Sequence, residues 1–189
     1  MEIFLIAFST IAIAEMGDRT QLLSLFLSAH FGKPWPITAA IFLATLANHA
    51  LAGLIGVWFG RYLTPPVLDA AVGVSMLAMA GWTLIPDKLD GETRIASRGA
   101  FVTPLLAFFV AEIGDKTQIA TVALAARFHS IAVVTAGTTV GMLLANVPAV
   151  LFGDVLARKL PLGVIRACAA AAFAVLGVLV LLKVDFGLF

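Results

Sequence analysis

The sequence predicts an all-α polytopic membrane protein, with six transmembrane helices arranged as two inverted three-helix repeats. Three observations carry that prediction. Hydrophobic residues make up 61% of the 189-residue chain and charged residues only 12%, whereas a soluble domain has about 45–50% apolar and about 25% charged residues. So few charges cannot cover a water-facing surface. Six stretches are long and apolar enough to span a bilayer, which takes about 20 mostly apolar residues. A seven-residue polar pattern also occurs twice, at a fixed offset of 97 positions.

The six stretches run roughly Ile3–Ala29, Pro36–Phe59, Val67–Ile85, Ala100–Ala126, Ile131–Ala157 and Leu162–Leu182. Short breaks rich in turn residues separate most of them: Gly32-Lys33-Pro34, Thr64-Pro65-Pro66, Arg127-Phe128-His129 and Arg158-Lys159-Leu160-Pro161. The first stretch begins Met1-Glu2, without a positive lead or an A-x-A cleavage site, and is expected to be retained rather than removed as a signal peptide. The one longer polar segment, Pro86–Gly99, divides the chain into a first repeat (1–85), a central loop (86–99) and a second repeat (100–189). Trp35, Trp58, Tyr62 and Trp82 fall near span ends, where amphipathic rings favour the headgroup zone.

Orientation follows from basic residues. One side of the membrane would carry Arg61, Arg127 and Lys183; the other would carry Lys33, Lys88, Arg94, Arg98, Arg158, Lys159 and Arg166. The richer side is expected in the cytoplasm, which puts both termini outside and the central loop inside. The formal net charge of +1 gives no reason to expect a nucleic-acid partner. A single cysteine, Cys168, excludes an intramolecular disulfide and a cysteine metal cluster; Cys168 reads as a small packing residue in the sixth span.

The repeat is carried by polar residues. Glu15-Met16-Gly17-Asp18-Arg19-Thr20-Gln21 matches Glu112-Ile113-Gly114-Asp115-Lys116-Thr117-Gln118. Further on, Leu46-Ala47-Asn48 matches Leu144-Ala145-Asn146 at an offset of 98, and Gly81 and Gly177 form a weaker match. Three spans per copy is an odd number, so the second copy must enter the membrane in the opposite sense. That is the plan of many secondary transporters, which hold substrate near the midplane at the repeat interface.

Both polar clusters lie well inside their spans. On a continuous helix Glu15 and Asp18 share a face, Arg19 reaches Glu15 as an ion pair, and the second copy repeats both relations. An ionised residue at the bilayer centre costs about 2.5–3.5 kcal/mol, so six facing lipid would cost on the order of 15–20 kcal/mol. They are therefore expected to face the bundle interior. Four carboxylates (Glu15, Asp18, Glu112, Asp115), supported by Thr20, Gln21, Thr117 and Gln118, offer an all-oxygen site for a hard divalent cation such as Mg²⁺, Ca²⁺ or Mn²⁺. Gly17 and Gly114 would let the helices unwind there and offer carbonyls. Arg19 and Lys116 balance the charge, leaving about −2, which one divalent ion or two protons would neutralise.

Other residues admit two readings each. Asn48 and Asn146 are ligands or interhelical hydrogen-bond glue. His49 can carry a proton, but its counterpart is Val147 and it stands one position off the Asn48 face. Met16 offers a soft sulfur, though its counterpart Ile113 favours packing; Asp154 reads as an interfacial charge. The charged clusters themselves have a purely structural alternative, two Glu–Arg/Lys bridges that lock the bundle. A passive acidic-ring channel is a further alternative. So is an intramembrane aspartyl protease, but Glu15 stands where its G-x-G-D motif has the first glycine.

Two copies of E-x-G-D-[KR]-[ST], here EMGDRT and EIGDKT, resemble the hallmark of the Gdt-type cation/proton exchangers (uncharacterised protein family 0016). The resemblance extends over essentially the whole chain. It implies a transporter, not an enzyme, that moves Mn²⁺ or Ca²⁺ out of the cytosol in exchange for H⁺, with manganese the cargo of short bacterial members. Glu15, Asp18, Glu112 and Asp115 would then be the metal ligands. It also implies a bacterial inner-membrane location, with metal ion, protons and lipid as partners and no cofactor. The family is similar in turn to the lysine-exporter superfamily, which implies a compact six-helix inverted repeat.

Overall fold

The structure is a computed structural model that describes residues 1–85, 98–159 and 162–182. Most of the central loop, with Lys88 and Arg94, lies outside the described residues, as do Lys183 and the side chain of Asp154. The described residues form eight α-helices and no strand: α1 (Glu2–Glu15), α2 (Arg19–Phe31), α3 (Pro34–Gly60), α4 (Pro65–Thr83), α5 (Val102–Glu112), α6 (Lys116–Phe128), α7 (Ile131–Lys159) and α8 (Leu162–Leu181).

Four of the expected spans are single helices: α3, α4, α7 and α8. By length and composition Pro34–Gly60, Pro65–Thr83 and Ile131–Phe152 can each cross a membrane, and Val102–Glu112 and Arg166–Leu181 are shorter apolar helices. The first and fourth expected spans are not continuous. Each is two helices, α1–α2 and α5–α6, interrupted at the polar motif. The turn residues act where the sequence places them. Gly32 ends α2 in the left-handed conformation, and Pro34 and Pro65 stand in the first turns of α3 and α4, where a missing N–H costs nothing. His129 ends α6 with the same left-handed geometry as Gly32. Within α7, Pro148 withholds a backbone donor and Phe152 departs from helical angles (φ −124°, ψ 23°).

Polarity runs from the inside out. Leu51, Leu54, Trp58, Phe59, Val110, Leu144 and Val175 are exposed, as are Trp35, Tyr62 and Trp82. The buried set includes Glu15, Asp18, Glu112, Asp115, Lys116, His49, Asn48 and Asn146. An apolar exterior around a polar interior is what lipid as solvent requires.

Packing joins the early helices chiefly to the late ones. α1 lies on α7, α3 on α5, α6 and α7, α2 on α7, and α4 on α8. Small residues set the closest approaches. A Cβ on Gly56 of α3 would stand 2.3 Å from the Val122 carbonyl oxygen of α6, and one on Gly141 of α7 would stand 2.5 Å from that of Phe8 in α1. Gly177 of α8 faces Gly73 of α4, whereas Gly81 has open space around it and contributes no close contact. Cys168 is exposed rather than packed.

Overpacking a filled contact costs about 1–3 kcal/mol. Gly56→Ala is therefore expected to lower the thermal unfolding midpoint in detergent clearly, while Gly81→Ala leaves it unchanged or slightly higher. Equal midpoints for the two variants would contradict the α3–α6 contact.

Candidate metal centre

The two motif copies break their helices in the same way. In the first, Met16 is extended (φ −64°, ψ 117°), Gly17 is left-handed (φ 81°) and Asp18 is extended again before α2 begins. In the second, Ile113 (φ −65°, ψ 119°), Gly114 (φ 75°) and Asp115 repeat that path. A positive φ is natural for glycine and strained for other residues. The glutamine then holds the break. Gly17 N–H donates to Gln21 Oε1 (2.9 Å), and Gly114 N–H donates to Gln118 Oε1 (2.7 Å). Gln21 also donates to the Ala145 carbonyl of α7 (3.0 Å). Both amide oxygens are thus engaged by the backbone that shapes the site.

The break changes which charges meet. Glu15 and Arg19 belong to different helices, as do Glu112 and Lys116, so the i,i+4 spacing of a continuous helix is lost in both copies. The cations cross over instead. Lys116 Nζ pairs with Asp18 Oδ1 at 2.6 Å, and Arg19 pairs with Asp115 Oδ1 at 3.1 Å. Arg19 also donates to the Ala111 carbonyl at the end of α5 (2.5 Å), satisfying an acceptor that the helix terminus leaves open. The pairs differ in setting: the Lys116 side chain is 3% exposed and the Arg19 side chain 37%. These crossed bridges join the two motif copies.

Three of the four expected carboxylates converge. Glu15, Asp18 and Asp115 each offer an oxygen within 4.8 Å of the others, all three buried. Glu15 accepts a hydrogen bond from the Thr20 hydroxyl, and its other oxygen has no hydrogen-bond partner. Thr117, the counterpart of Thr20, is 3.4 Å from Asp115 Oδ2 instead. Glu112 stands outside the trio. It is fully buried, neither of its oxygens has a hydrogen-bond partner, and its Oε2 lies 3.6 Å from His49 Nε2.

The asparagines serve the framework around this centre. Asn48 Nδ2 donates to the Phe109 carbonyl of α5 (3.0 Å), and Asn146 Oδ1 accepts from Ser24 of α2 (2.8 Å). Ser28 continues that line to the Val150 carbonyl of α7 (2.5 Å). Ser24 and Ser28 form a polar stripe with Gln21 at helical spacing, a signal in the sequence that the motif copies alone do not include. His49 stands one position off the Asn48 face. α3 is enclosed by α5, α6 and α7, so the position after Asn48 is buried as well. Met16 and Ile113 are both exposed, so the Met16 sulfur is not buried with the carboxylates.

Comparison with known proteins points to one family. The family described as divalent cation/proton antiporter GDT1 matches residues 3–91 and 100–186. A protein of Vibrio cholerae named "Putative manganese exporter" is 58% identical over 174 residues, covering 92% of this chain and 87% of its own length. GDT1-like protein 3 of Arabidopsis thaliana is 28% identical over 82% of this chain and 61% of its own length. A GDT1-like protein of Synechocystis is 27% identical over 79% and 82%. No solved structure matches the chain significantly.

Removing one partner of a buried ion pair costs about 3–5 kcal/mol, whereas a half-exposed one contributes about 1 kcal/mol or less. Lys116→Met is thus expected to destabilise the protein in detergent more than Arg19→Met, and adding Asp18→Asn to Lys116→Met should recover part of the loss. Additive losses in that double variant would contradict the crossed pairing.

Proposed function

The chain belongs to the GDT1 family of divalent cation/proton antiporters, and on that premise we propose that it exports Mn²⁺ from the cytosol in exchange for protons. The family is one of transporters and not an enzyme class. The observation that carries the proposal is the convergence of Glu15, Asp18 and Asp115 at the junction of two broken helices. Oxygen donors from carboxylates suit a hard divalent ion.

Charge supplies the coupling. Four carboxylates against Arg19 and Lys116 leave a net charge of about −2 when all are ionised, and either one divalent ion or two protons neutralises it. Cytosolic metal binds the deprotonated centre, the two halves rock, and protons from outside displace it. The architecture behind this motion is six membrane passages in two inverted repeats, residues 1–85 and 100–189. Matching backbone breaks, matching helix ends at Gly32 and His129, and the reciprocal packing of α1 on α7 and of α3 on α5 support it. The proposed setting is a bacterial inner membrane with both termini outside. The cargo assignment draws on the name of the Vibrio relative; Ca²⁺ is the competing ion.

The test is transport by the purified protein in proteoliposomes carrying a pH dye, with Mn²⁺ and Ca²⁺ supplied separately. Mn²⁺ movement should change lumenal pH in step, and Asp18→Asn and Asp115→Asn should each reduce the rate by at least about tenfold. Metal flux without proton flux would make the protein a channel, and a preference for Ca²⁺ would reassign the cargo.

A further inference from the structure

We propose that His49 is a nitrogen ligand for the transported ion, acting with Glu112 and biasing the site toward divalent first-row transition ions over Ca²⁺ and Mg²⁺. This rests on the export reading above and adds to it a residue outside both motif copies.

His49 sits on α3 and is fully buried, yet neither ring nitrogen has a hydrogen-bond partner. Buried polar groups in native structures are nearly always bonded, and leaving them bare is costly. Its Nε2 points at Glu112 Oε2 across 3.6 Å, too far for a hydrogen bond. Both Glu112 oxygens are also without hydrogen-bond partners, although Glu112 is fully buried. A third such acceptor, Asn48 Oδ1, lies on the same α3–α5 contact, because Asn48 Nδ2 is tied to the Phe109 carbonyl. Two donors each about 2.1 Å from one ion stand about 3.0 Å apart at right angles and about 3.6 Å apart at about 120°. The His49–Glu112 spacing fits that range, and an imidazole facing a carboxylate forms a mixed nitrogen–oxygen pair.

That pair carries selectivity. Ca²⁺ and Mg²⁺ take oxygen ligands, while first-row transition ions accept imidazole nitrogen beside carboxylate oxygen. The pair also occurs once only. The residue matching His49 is Val147, and the glutamate of the other copy, Glu15, takes its hydrogen bond from Thr20. The two motif copies therefore present different donors to an ion.

Mn²⁺ bound to the full chain in detergent, purified with a histidine-free tag, is read by electron-spin-echo envelope modulation. Nitrogen modulation from an imidazole is expected in the wild type. It should persist when the other two histidines, both exposed, are removed together (His30→Gln with His129→Asn), and it should disappear in His49→Val. That variant should also lose Mn²⁺-over-Ca²⁺ binding preference by at least about tenfold. Bound Mn²⁺ without nitrogen modulation in the wild type overturns this inference and leaves the export reading standing. No bound Mn²⁺ overturns both. Because the first two measurements use wild-type His49, the result does not depend on the folding of His49→Val.

Discussion

Charge buried inside an apolar bundle has to be answered within the bundle, and the rest of this structure follows from how that is done. Four carboxylates and two cations share one interior. Each cation serves the aspartate of the opposite motif copy, so neither copy is electrostatically complete alone. Lys116 reaching Asp18 and Arg19 reaching Asp115 tie α6 to the start of α2, and α2 to the start of α6. The close contacts at Gly56 and Gly141 bring α3 onto α6 and α1 onto α7 in the same bundle. With all four carboxylates ionised, two cations would leave a net charge of about −2 in this interior.

Much of this is legible in the sequence. The scarcity of charge, the six apolar stretches and the doubled motif lead to helices whose ends fall near the expected turns, with the same residues inside. Helical periodicity, however, assumes an unbroken helix. It paired Arg19 with Glu15 and put Glu15 and Asp18 on one face. The left-handed Gly17 and Gly114 void that arithmetic, since residues on either side of a break obey no common period. The same glycines were the signal that a break was possible, and Gln21 and Gln118 were the signal of what stabilises it. The burial of His49 escapes the pattern for a different reason. A one-sided view of α3 fails for a helix with neighbours on several sides, and no single-helix pattern reveals how many neighbours a helix has.

A break in a helix within an apolar bundle would ordinarily be expensive, because it strands donors and acceptors with no water to receive them. Here the cost is contained by side chains four residues on or from across the bundle. Gln21 and Gln118 accept from the glycine N–H groups, Arg19 takes the Ala111 carbonyl, and Asn48 takes that of Phe109. These groups also place a helix start beside the carboxylate trio. The residues that brace the break thus shape the centre as much as the carboxylates that converge in it.

Equal backbone does not make the two copies equal sites. The motif dictates the path of the chain, since Gly-Asp-[RK]-Thr-Gln supplies the left-handed residue, the helix start and the amide that braces it. What surrounds each glutamate is not fixed by the motif alone: Thr20 reaches Glu15, whereas its counterpart Thr117 lies 3.4 Å from Asp115 Oδ2. Glu15 meets a hydroxyl, whereas Glu112 meets an imidazole at 3.6 Å and no hydrogen-bond donor. The cations differ as well: a buried ammonium at 2.6 Å on one side, and a half-exposed guanidinium shared with a carbonyl on the other. A duplicated scaffold therefore holds a lopsided site. The repeated residues set its backbone path, and unshared neighbours such as His49 make its two halves differ.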